Sequence, residues 1–423
     1  MLDLKFVRQN ADLVRQAIAN KGEKVDLNRF LSLDQECRDL LVRVNGLKHQ
    51  RNVFSKQIGA LKGKGLEADE QLAKMKKVSQ QIKDLDARRK VLEDEIHQIA
   101  ITIPNIPHPS VPIGRGDEDN VEIRRWGELP QFDFQPLPHW EIGERLGILD
   151  FKASSKISGS GFIVFKGLGA LLERALITFM LDLHTSQHGY REISPPFLVN
   201  RKCMEGTGQL PKLSEDMYLC EQDDLFLIPT AEVPLTNLHR EEMLRSEDLP
   251  RNYVAYTACF RREAGSYGKE TRGIARVHQF DKVELVKFVR PEQSYEELEE
   301  LLSHAENVLQ LLNLPYRVRV LCTGDLSFAA AKCYDIETWA AGQGKFLEVS
   351  SCSNFEDFQA RRSGIRFREA PGAKAEYVHT LNGSGVALPR TVIAILENCQ
   401  TSTGQVVIPE VLRPYMGGLE RIE

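Results

Sequence analysis

The chain has 423 residues, of which 42% are apolar and 27% are charged, and its formal net charge is −5. This composition is typical of a globular protein with room for two or three domains, and the acidic balance argues against nonspecific nucleic-acid binding by the whole surface. Eight cysteines, from Cys37 to Cys399, include no C-x-x-C pair, which argues against a zinc ribbon or a disulfide framework and fits a reducing cytoplasm.

Nothing in the sequence indicates a membrane. No apolar run is long enough to span a bilayer, and the residues after Met1, LDLKFVRQN, lack the basic and then apolar order of a signal peptide. We therefore expect a cytoplasmic protein without a membrane partner.

One segment departs from the acidic balance. Residues 43–91 contain thirteen Lys and Arg against five Asp and Glu, a net charge of +8, which leaves −13 for the rest of the chain. This segment is predicted to be the part that faces a polyanion.

The first element in chain order is a predicted helix over residues 1–22. Its apolar stripe comprises Val7, Leu13, Val14 and Ile18, and Gly22 ends it.

Two long heptad series follow the first helix. The first series comprises Leu33, Cys37, Leu40, Val44, Leu47, Arg51, Phe54, Ile58 and Leu61, and the second comprises Met75, Val78, Ile82, Leu85, Arg89, Leu92, Ile96 and Ile99. A break at Gly63-Lys64-Gly65 separates them, so they predict an antiparallel two-helix coiled-coil arm over residues 30–100, about 45–50 Å long at ~1.5 Å per residue. Arg51 and Arg89 interrupt the two seams. A dimerisation or spacer coiled coil is the alternative, but the charge of +8 favours a phosphate backbone as partner.

A proline-rich stretch closes the arm. Pro104, Pro107, Pro109 and Pro112 cannot continue a helix, which puts a domain boundary near residue 105. Residues 106–135 are polar and turn-rich and are predicted as a linker. An apolar helix over 167–188 and the strand-like YREISPPFLV come next.

Short alternating strands dominate the remainder of the chain. They are predicted over residues 217–220, 225–230, 253–260, 277–289, 316–321, 346–351 and 377–381. A helix is predicted over 291–314, opened by a capping box of Ser294 and Glu297. Consecutive strands without intervening helices favour an α+β fold with an antiparallel sheet covered by helices on one side. No P-loop and no G-x-G-x-x-G after a strand is present.

Residues 257–286 predict a hairpin with one charged face and one apolar face. Alternation puts Thr257, Cys259, Arg261 and Glu263 on one face of the first run, and Phe280, Lys282 and Glu284 on that of the second; Val283 and Leu285 face the other way. The connecting loop contains Gly265, Gly268, Lys269 and Glu270, a flexible and polar composition suited to phosphates. A solvated charged hairpin is the alternative reading of the composition.

The residue order of this hairpin, F-R-x-E, then a loop, then R-x-x-Q-F-x-K-x-E, resembles motif 2 of the class II aminoacyl-tRNA synthetases in the form carried by seryl-tRNA synthetases. Further fragments in the family's order resemble its other motifs: Thr230-Ala231-Glu232, Glu348-Val349-Ser350-Ser351, and Asn382-Gly383-Ser384-Gly385 with Leu388-Pro389-Arg390-Thr391 as motif 3. The helix over 167–188 with Pro195-Pro196 resembles motif 1, the dimer-interface element. The resemblance covers essentially the whole chain and implies a tRNA-binding domain over 1–105 and a class II catalytic domain over 136–423.

The resemblance also implies roles for individual residues. Arg261 and Arg390 would be catalytic, the first on the α-phosphate and the serine carboxylate and the second on the γ-phosphate. The L-serine site would consist of Thr230, Ala231, Glu232, Glu284 and Ser384. The ATP site would consist of Arg261, Arg262, Glu263, Val277, Phe280, Glu348, Val349, Ser350, Ser351 and Arg390. Glu348 and Ser351 would hold Mg²⁺, which prefers oxygen ligands.

The partners that the resemblance implies are ATP, L-serine, tRNA(Ser) on the arm, and a second copy of the chain in a homodimer. Whether selenocysteine tRNA is also charged is left open by the sequence. Two other classes of function are alternatives. A non-catalytic RNA-binding homologue should have lost Arg261, Glu263, Glu348 or Arg390, and an amino-acid ligase acting on a carrier protein would have no use for a basic arm.

Overall fold

The computed structural model describes residues 1–264 and 272–423. The predicted loop residues Gly265, Gly268, Lys269 and Glu270 lie outside the described residues. The chain forms two compact units: a helical unit, Leu2–Ala19 with Glu23–Pro104, and a sheet unit, Met1 with Asn20–Gly22 and Asn105–Glu423. Among the described residues, no helix has the length and apolar character needed to cross a bilayer.

Twelve α-helices are described. They are α1 Leu4–Gln9, α2 Ala11–Asn20, α3 Leu27–Gly63, α4 Asp69–Ala100, α5 His139–Arg145, α6 Phe151–Ser158, α7 Leu168–Ser186, α8 Arg201–Thr207, α9 Glu232–Asn237, α10 Ser294–Leu311, α11 Phe358–Ser363 and α12 Leu388–Asn398.

The predicted first helix is two helices, which corrects the sequence interpretation. Asn10 ends α1, because its backbone N–H and its side-chain amide both donate to the carbonyl of Phe6. Val7, Val14 and Ile18 are buried as expected, but Leu13 is 44% exposed and does not belong to the apolar stripe. The break at Asn10 shifts the phase of α2 relative to a single continuous helix.

Helices α3 and α4 form the predicted antiparallel hairpin. Salt bridges join Arg29 to Glu95 and Glu36 to Arg88, each at 2.9 Å. The later residue of α3 pairs with the earlier residue of α4, as expected for antiparallel helices. Eight heptad positions are buried along the seam: Leu33, Leu40, Val44, Ile58, Val78, Ile82, Leu92 and Ile96. Arg51 is exposed and Arg89 is half-buried, so both interrupt the seam as predicted.

Sixteen strands are described. They are β1 Val121–Trp126, β2 Arg191–Glu192, β3 Leu198–Asn200, β4 Leu219–Cys220, β5 Leu225–Leu227, β6 Met243–Arg245, β7 Arg251–Phe260, β8 Gln279–Val289, β9 Tyr316–Val320, β10 Lys332–Ala340, β11 Lys345–Asn354, β12 Arg366–Arg368, β13 Glu376–Tyr377, β14 His379–Ala387, β15 Val406–Val407 and β16 Arg421–Ile422.

Eight of these strands form the main sheet, in the order β1-β9-β10-β11-β14-β8-β7-β2. Every neighbouring pair is antiparallel except the edge strand β2, which runs parallel to β7. Helices α7, α10 and α12 pack on one face and bury the largest apolar cluster, which includes Val283, Leu285 and Leu301. The predicted antiparallel sheet with helices on one side is confirmed, and the opposite face is left for the polar residues described below.

Three local predictions differ from the structure. Strand β10 was missed, because KCYDIETWA mixes charged residues into both faces and so shows no clear alternation. The edge strand β1 lies inside the stretch predicted as a linker. The capping box of Ser294 and Glu297 is wrong: Gln293 precedes α10 without a side-chain cap, Ser294 pairs with His379, and Glu297 accepts a hydrogen bond from buried Lys287.

Candidate active site

The hairpin of β7 and β8 provides the floor of the site. Thr257 lies opposite Lys282 and Cys259 opposite Phe280, so these residues share the open face of the sheet. Val283 projects to the other face and is completely buried among apolar neighbours. The two faces therefore differ as the alternating sequence predicts.

Arg261 lies where the hairpin opens. Its backbone N–H donates to the carbonyl of His278 at 2.9 Å, which extends the ladder one pair beyond Phe260 and Gln279. Its guanidinium donates to Pro229 O at 3.3 Å and lies 5.3 Å from the centre of the Phe280 ring. The structure thus brings together two residues predicted for the nucleotide site.

The other predicted nucleotide residues of this motif are more dispersed. Arg262 points away from the sheet face, because its guanidinium donates to Met217 O and lies over the Tyr218 ring. Glu263 adopts a left-handed backbone, with φ of 50°, and its carboxylate contacts Arg276 at 3.2 Å. The side chain of Val277 is buried, so this residue could contact a ligand only through its main-chain atoms.

Glu284 and Ser384 face each other across the sheet. They are directly paired in the ladder of β8 and β14, and Glu284 is 1% exposed. One Glu284 oxygen contacts Lys282 Nζ at 2.5 Å and the other accepts from Asn382 Nδ2 at 3.2 Å. Sequence reasoning did not single out Asn382, although its spacing of two residues from Ser384 puts both on one face.

Gly385, which follows Ser384, allows α7 to approach the strand closely. A Cβ at this position would come within 2.8 Å of His184 Nε2. The ladder of β8 and β14 is also irregular between Ser384 and Val386. The second glycine of the N-G-S-G segment therefore serves a packing role behind the site.

Thr230, Ala231 and Glu232 form the turn that opens α9. The preceding strand β5 ends three residues earlier than predicted, and Thr230 Oγ1 accepts from the backbone N–H of Glu232 at 3.2 Å. Burial and the negative charge of Glu284 raise the pKa of Glu232 to about 7, against the hydrogen bond from Gln359 and the positive charges of Lys282 and Arg261. Because the pKa of this carboxyl is raised, a cationic ligand nearby would stabilise its charged form.

A β-bulge at Val349 determines which residues of the E-V-S-S segment face the site. Ser351 pairs with Asp335 and Glu348 with Glu337, whereas Val349 has no partner in the ladder. In a regular strand, residues three apart point to opposite faces. The bulge puts Glu348 and Ser351 on the same face, which the sequence alone did not reveal.

Val349 and Ser350 have buried side chains. Val349 packs into the apolar cluster under the helices, and Ser350 Oγ donates to the carbonyl of Ser384 at 2.7 Å. A nucleotide could contact these two residues through main-chain atoms only. The Ser350 bond also ties β11 to the strand that carries Ser384.

Arg390 lies beside Glu348 at the start of α12, where Pro389 occupies the first turn as predicted. Its guanidinium contacts the Glu348 carboxylate at 3.2 Å, donates to Glu348 O at 2.6 Å and donates to Ala275 O at 3.3 Å. Burial would raise the pKa of Glu348, but the nearby guanidiniums of Arg390 and Arg261 outweigh it and lower that pKa. Glu348 is therefore ionised.

Glu348, Ser351 and Asp335 supply oxygen donors only. Ser351 Oγ donates to Asp335, and burial, with the negative charge of Glu348 next, raises the pKa of Asp335 well above its usual range. Within residues 1–264 and 272–423, no three His, Cys, Asp or Glu side chains converge on a point that could hold a metal. This donor set fits Mg²⁺, which is commonly bound by one or two carboxylates together with substrate phosphates. Asp335 was missed because it lies on the strand that was not predicted.

A buried histidine supports the returning end of the hairpin loop. His139 Nε2 accepts from the backbone N–H of Ile274 at 3.1 Å, so its Nδ1 carries the proton that is shared with Glu397 at 2.8 Å. Both side chains are completely buried. Because Ala275 is the next residue and accepts from Arg390, this pair fixes the backbone that Arg390 contacts.

The hairpin of α3 and α4 presents its cations to solvent. Nine of them are exposed and form no ion pair with any residue that the structure describes: Arg43, Arg51, Lys56, Lys62, Lys64, Lys76, Lys77, Lys83 and Lys90. Lys74 and Arg88 are paired with Glu70 and Glu36. The free cations form a surface suited to phosphate contacts.

Comparisons with known proteins agree with this arrangement. Residues 1–107 match the seryl-tRNA synthetase N-terminal domain, and residues 218–399 match the tRNA synthetase class II core domain (G, H, P, S and T). A serine–tRNA ligase from Caldanaerobacter subterraneus subsp. tengcongensis is 61% identical over 98% of both chains. The seryl-tRNA synthetase of Pyrococcus horikoshii, solved with ATP, superposes with a TM-score of 0.95 at 41% identity over 100% of this chain and 99% of that chain. A cytoplasmic serine–tRNA ligase from Naegleria fowleri, solved with AMP, gives a TM-score of 0.89 at 31% identity, again over 100% of this chain and 99% of that chain.

Proposed function

Because this chain belongs to the seryl-tRNA synthetase family and is an ATP-dependent serine–tRNA ligase, we propose that both steps of its reaction use the open face of the main sheet. In the first step, the serine carboxylate attacks the α-phosphorus of ATP, forms seryl-adenylate and releases pyrophosphate. In the second step, a hydroxyl of the 3′-terminal ribose of tRNA takes the seryl group, and AMP leaves.

The first step needs no general base, since the serine carboxylate is already ionised. Charge neutralisation and positioning supply the rate acceleration instead. Arg261 binds the α-phosphate and the serine carboxylate, with its guanidinium held at the mouth of the hairpin by Pro229 O. Arg390 binds the γ-phosphate from the start of α12, and Phe280 stacks on the adenine, with Glu263 on the adenine amino group.

The serine side chain enters the pocket between Glu284 and Ser384. Their direct pairing across the sheet supports two hydrogen bonds to one hydroxyl. Alanine would leave the two hydrogen bonds to the hydroxyl unmade in a buried polar pocket, and such pockets reject the analogue without a hydroxyl by about 10⁴-fold. Glu232 holds the serine ammonium, with Thr230 and Ala231 forming the turn around it.

Glu348 and Ser351, with Asp335 beside them, hold the magnesium ion. When bound, that ion would neutralise charge on the phosphates and favour release of pyrophosphate. Glu348 is ionised and reaches the open face, and Ser351 is brought to the same face by the bulge at Val349.

The arm of α3 and α4 binds tRNA(Ser) through its exposed cations, and its nine cations without an ion pair among the described residues support this assignment.

The enzyme works in the cytoplasm as a homodimer, which forms through α7 and the following strand. The resemblance of α7 to motif 1 supports the dimer, and a monomeric mass by light scattering at micromolar concentration would contradict it.

One observation carries the proposal: Glu284, Ser384 and Glu348 come from three strands, Arg261 directly follows a fourth and Arg390 lies at the start of a helix, yet all lie on or at the rim of one sheet face. The test is ATP–pyrophosphate exchange measured with each of the twenty amino acids. The rate of exchange with serine should exceed the rates with threonine and alanine by about 10²-fold or more. Exchange supported equally by another amino acid would overturn the assignment of the pocket.

A further inference from the structure

Gln359, on α11, contacts Glu232 from behind the proposed site. Gln359 Nε2 donates to Glu232 Oε1 at 2.6 Å and to Thr207 O, at the end of α8, at 3.2 Å. Gln359 Oε1 accepts from Thr380 Oγ1, on β14, at 2.7 Å. One fully buried amide therefore connects the carboxylate of α9 to three other elements.

The orientation of this amide is determined by its partners. Thr207 O and the Glu232 carboxylate only accept hydrogen bonds, so the NH₂ group of Gln359 must face them. The Thr380 hydroxyl is the donor on the other side. A flipped amide would put its oxygen against two acceptors, which makes the observed orientation the only one that satisfies all four groups.

Glu232 depends on this contact because it is only 6% exposed and has a second carboxylate, Glu284, nearby. Burial and Glu284 both raise the pKa of Glu232, and the hydrogen bond from Gln359 is the largest of the effects that lower it. A hydrogen bond to the charged form of an acid favours that form.

We propose that Gln359 is a positioning residue that keeps Glu232 ionised and aimed at the serine ammonium, with Thr380 locking the Gln359 amide. Gln359 does not touch the substrate and acts only through Glu232. The inference rests on the proposed role of Glu232 as the ammonium ligand. It extends the recognition of serine to a layer of residues that no sequence motif of the site contains.

The experiment measures the KM for serine in ATP–pyrophosphate exchange from about pH 6 to about pH 8.5, a range that extends to both sides of the pKa of about 7 of Glu232. In Gln359→Met, which conserves the length of the side chain, the serine KM near pH 7 should rise about tenfold, as expected for loss of a hydrogen bond to a charged group. The KM for ATP should stay within about twofold.

The pH profile separates positioning from a structural defect. Loss of the donated hydrogen bond raises the pKa of Glu232, so the rise in serine KM on acidification should begin about one pH unit higher in the variant than in the wild type. Near pH 8.5 the two KM values should converge. A KM raised equally at every pH, or a KM unchanged at every pH, would overturn the proposal.

Three further variants test the geometry of this contact. Thr380→Val should give a smaller shift in the same direction, because the amide still donates to Glu232 but loses the hydroxyl that holds its oxygen in place. Gln359→Glu puts a carboxyl against Glu232 and should raise the serine KM more than Gln359→Met does. Gln310→Met removes a comparable hydrogen bond, to Tyr316 at 2.8 Å, and should leave the profile unchanged.

Glu232→Gln distinguishes failure of the inference from failure of the proposed site. If this variant leaves the serine KM unchanged, the assignment of Glu232 is wrong, whatever Gln359 does. If it raises the KM and removes the pH dependence while Gln359→Met behaves as wild type, only the role of Gln359 is wrong. In the double variant, the effect of Gln359→Met should disappear.

Discussion

On the hairpin of α3 and α4, the ion pairs Arg29–Glu95 and Arg88–Glu36 join side chains that are 40% exposed or more. In the sheet unit, the paired side chains of Lys282 and Glu284 are 8% and 1% exposed, and the side chain of Lys287, paired with Glu297 and Glu300, is not exposed at all. Exposed charges are screened by solvent and salt, whereas each buried charge depends on specific partners at fixed distances. The arm should therefore tolerate single substitutions, and the sheet unit should not.

The strongest test of this contrast is loss of one cation from the site. Arg261→Ala and Arg390→Ala should each reduce serine-dependent pyrophosphate exchange by about 10³-fold, since in the proposed site each guanidinium neutralises phosphate charge in the transition state. Circular dichroism should be normal. Arg421→Ala, which removes an exposed guanidinium bound to Gln405, is the matched control and should be fully active. Exchange within tenfold of wild type in both site variants would refute these roles.

Removal of the arm should affect only the second step. Replacing residues 43–91 by a short glycine loop should leave pyrophosphate exchange nearly unchanged, because all the proposed site residues belong to the sheet unit. Aminoacylation should fall by roughly 10²-fold in kcat/KM, since the phosphate contacts would be lost. Unchanged aminoacylation would make the arm a spacer or a partner-binding coiled coil.

Within the sheet unit, the two buried lysine pairs can be compared directly. Glu284→Gln should raise the serine KM about 10- to 100-fold with little effect on the KM for ATP, because the carboxylate is proposed to bind the serine hydroxyl. Glu297→Gln disturbs the Lys287 pair on the helix-covered face and should lower stability without changing the serine KM. Equal losses for serine and ATP in Glu284→Gln would place Glu284 outside the pocket.

On the arm, the effect should grow with the number of free cations that are removed. The triple variant Lys76→Gln, Lys77→Gln, Lys90→Gln should weaken tRNA binding about tenfold and reduce the salt slope by up to about three. Lys74→Gln with Arg88→Gln should change the slope less, since both cations already have carboxylate partners. Equal changes per charge in the two sets would show that these ion pairs do not matter.

The smallest expected effect is on acid stability. Burial lowers the pKa of His184 to about 3 and that of His304 to about 4, and the nearby imidazole of His188 lowers both further. Their unfolded forms take up protons below about pH 6.5, so stability is full above that pH and falls as the pH drops toward the folded values, by about 1.4 kcal/mol per pH unit for each group.

Replacing one of these histidines should reduce the fall in unfolding free energy per pH unit. His304→Gln should reduce the slope of unfolding free energy between about pH 6 and pH 4.5 by roughly one proton. His97→Gln, at an exposed position of α4, is the control in the helical unit and should leave the slope unchanged. A slope unaffected by His304→Gln would show that this histidine is protonated in the folded protein.

Much of this protein could be read from its sequence because the relevant signals are local and periodic. The two heptad series specified α3 and α4, and alternation specified which residues of β7 and β8 share a face. The residue order of the motifs identified the family and predicted which residues form the site. The charge of +8 over residues 43–91 marked the surface that the arm exposes.

The tertiary structure decided what depends on distant partners. Only the ladder of β10 and β11 shows the bulge that brings Glu348 and Ser351 to one face, and only packing shows that Asp335 and Gln359 lie beside residues far away in the chain. Ser294 and Glu297 had the sequence of a capping box, but His379 and Lys287 competed for their side chains. A buried polar or charged group that is left unpaired destabilises the fold, so it pairs with a suitable group that lies nearby in the folded structure. Such pairings cannot be predicted from spacing along the chain.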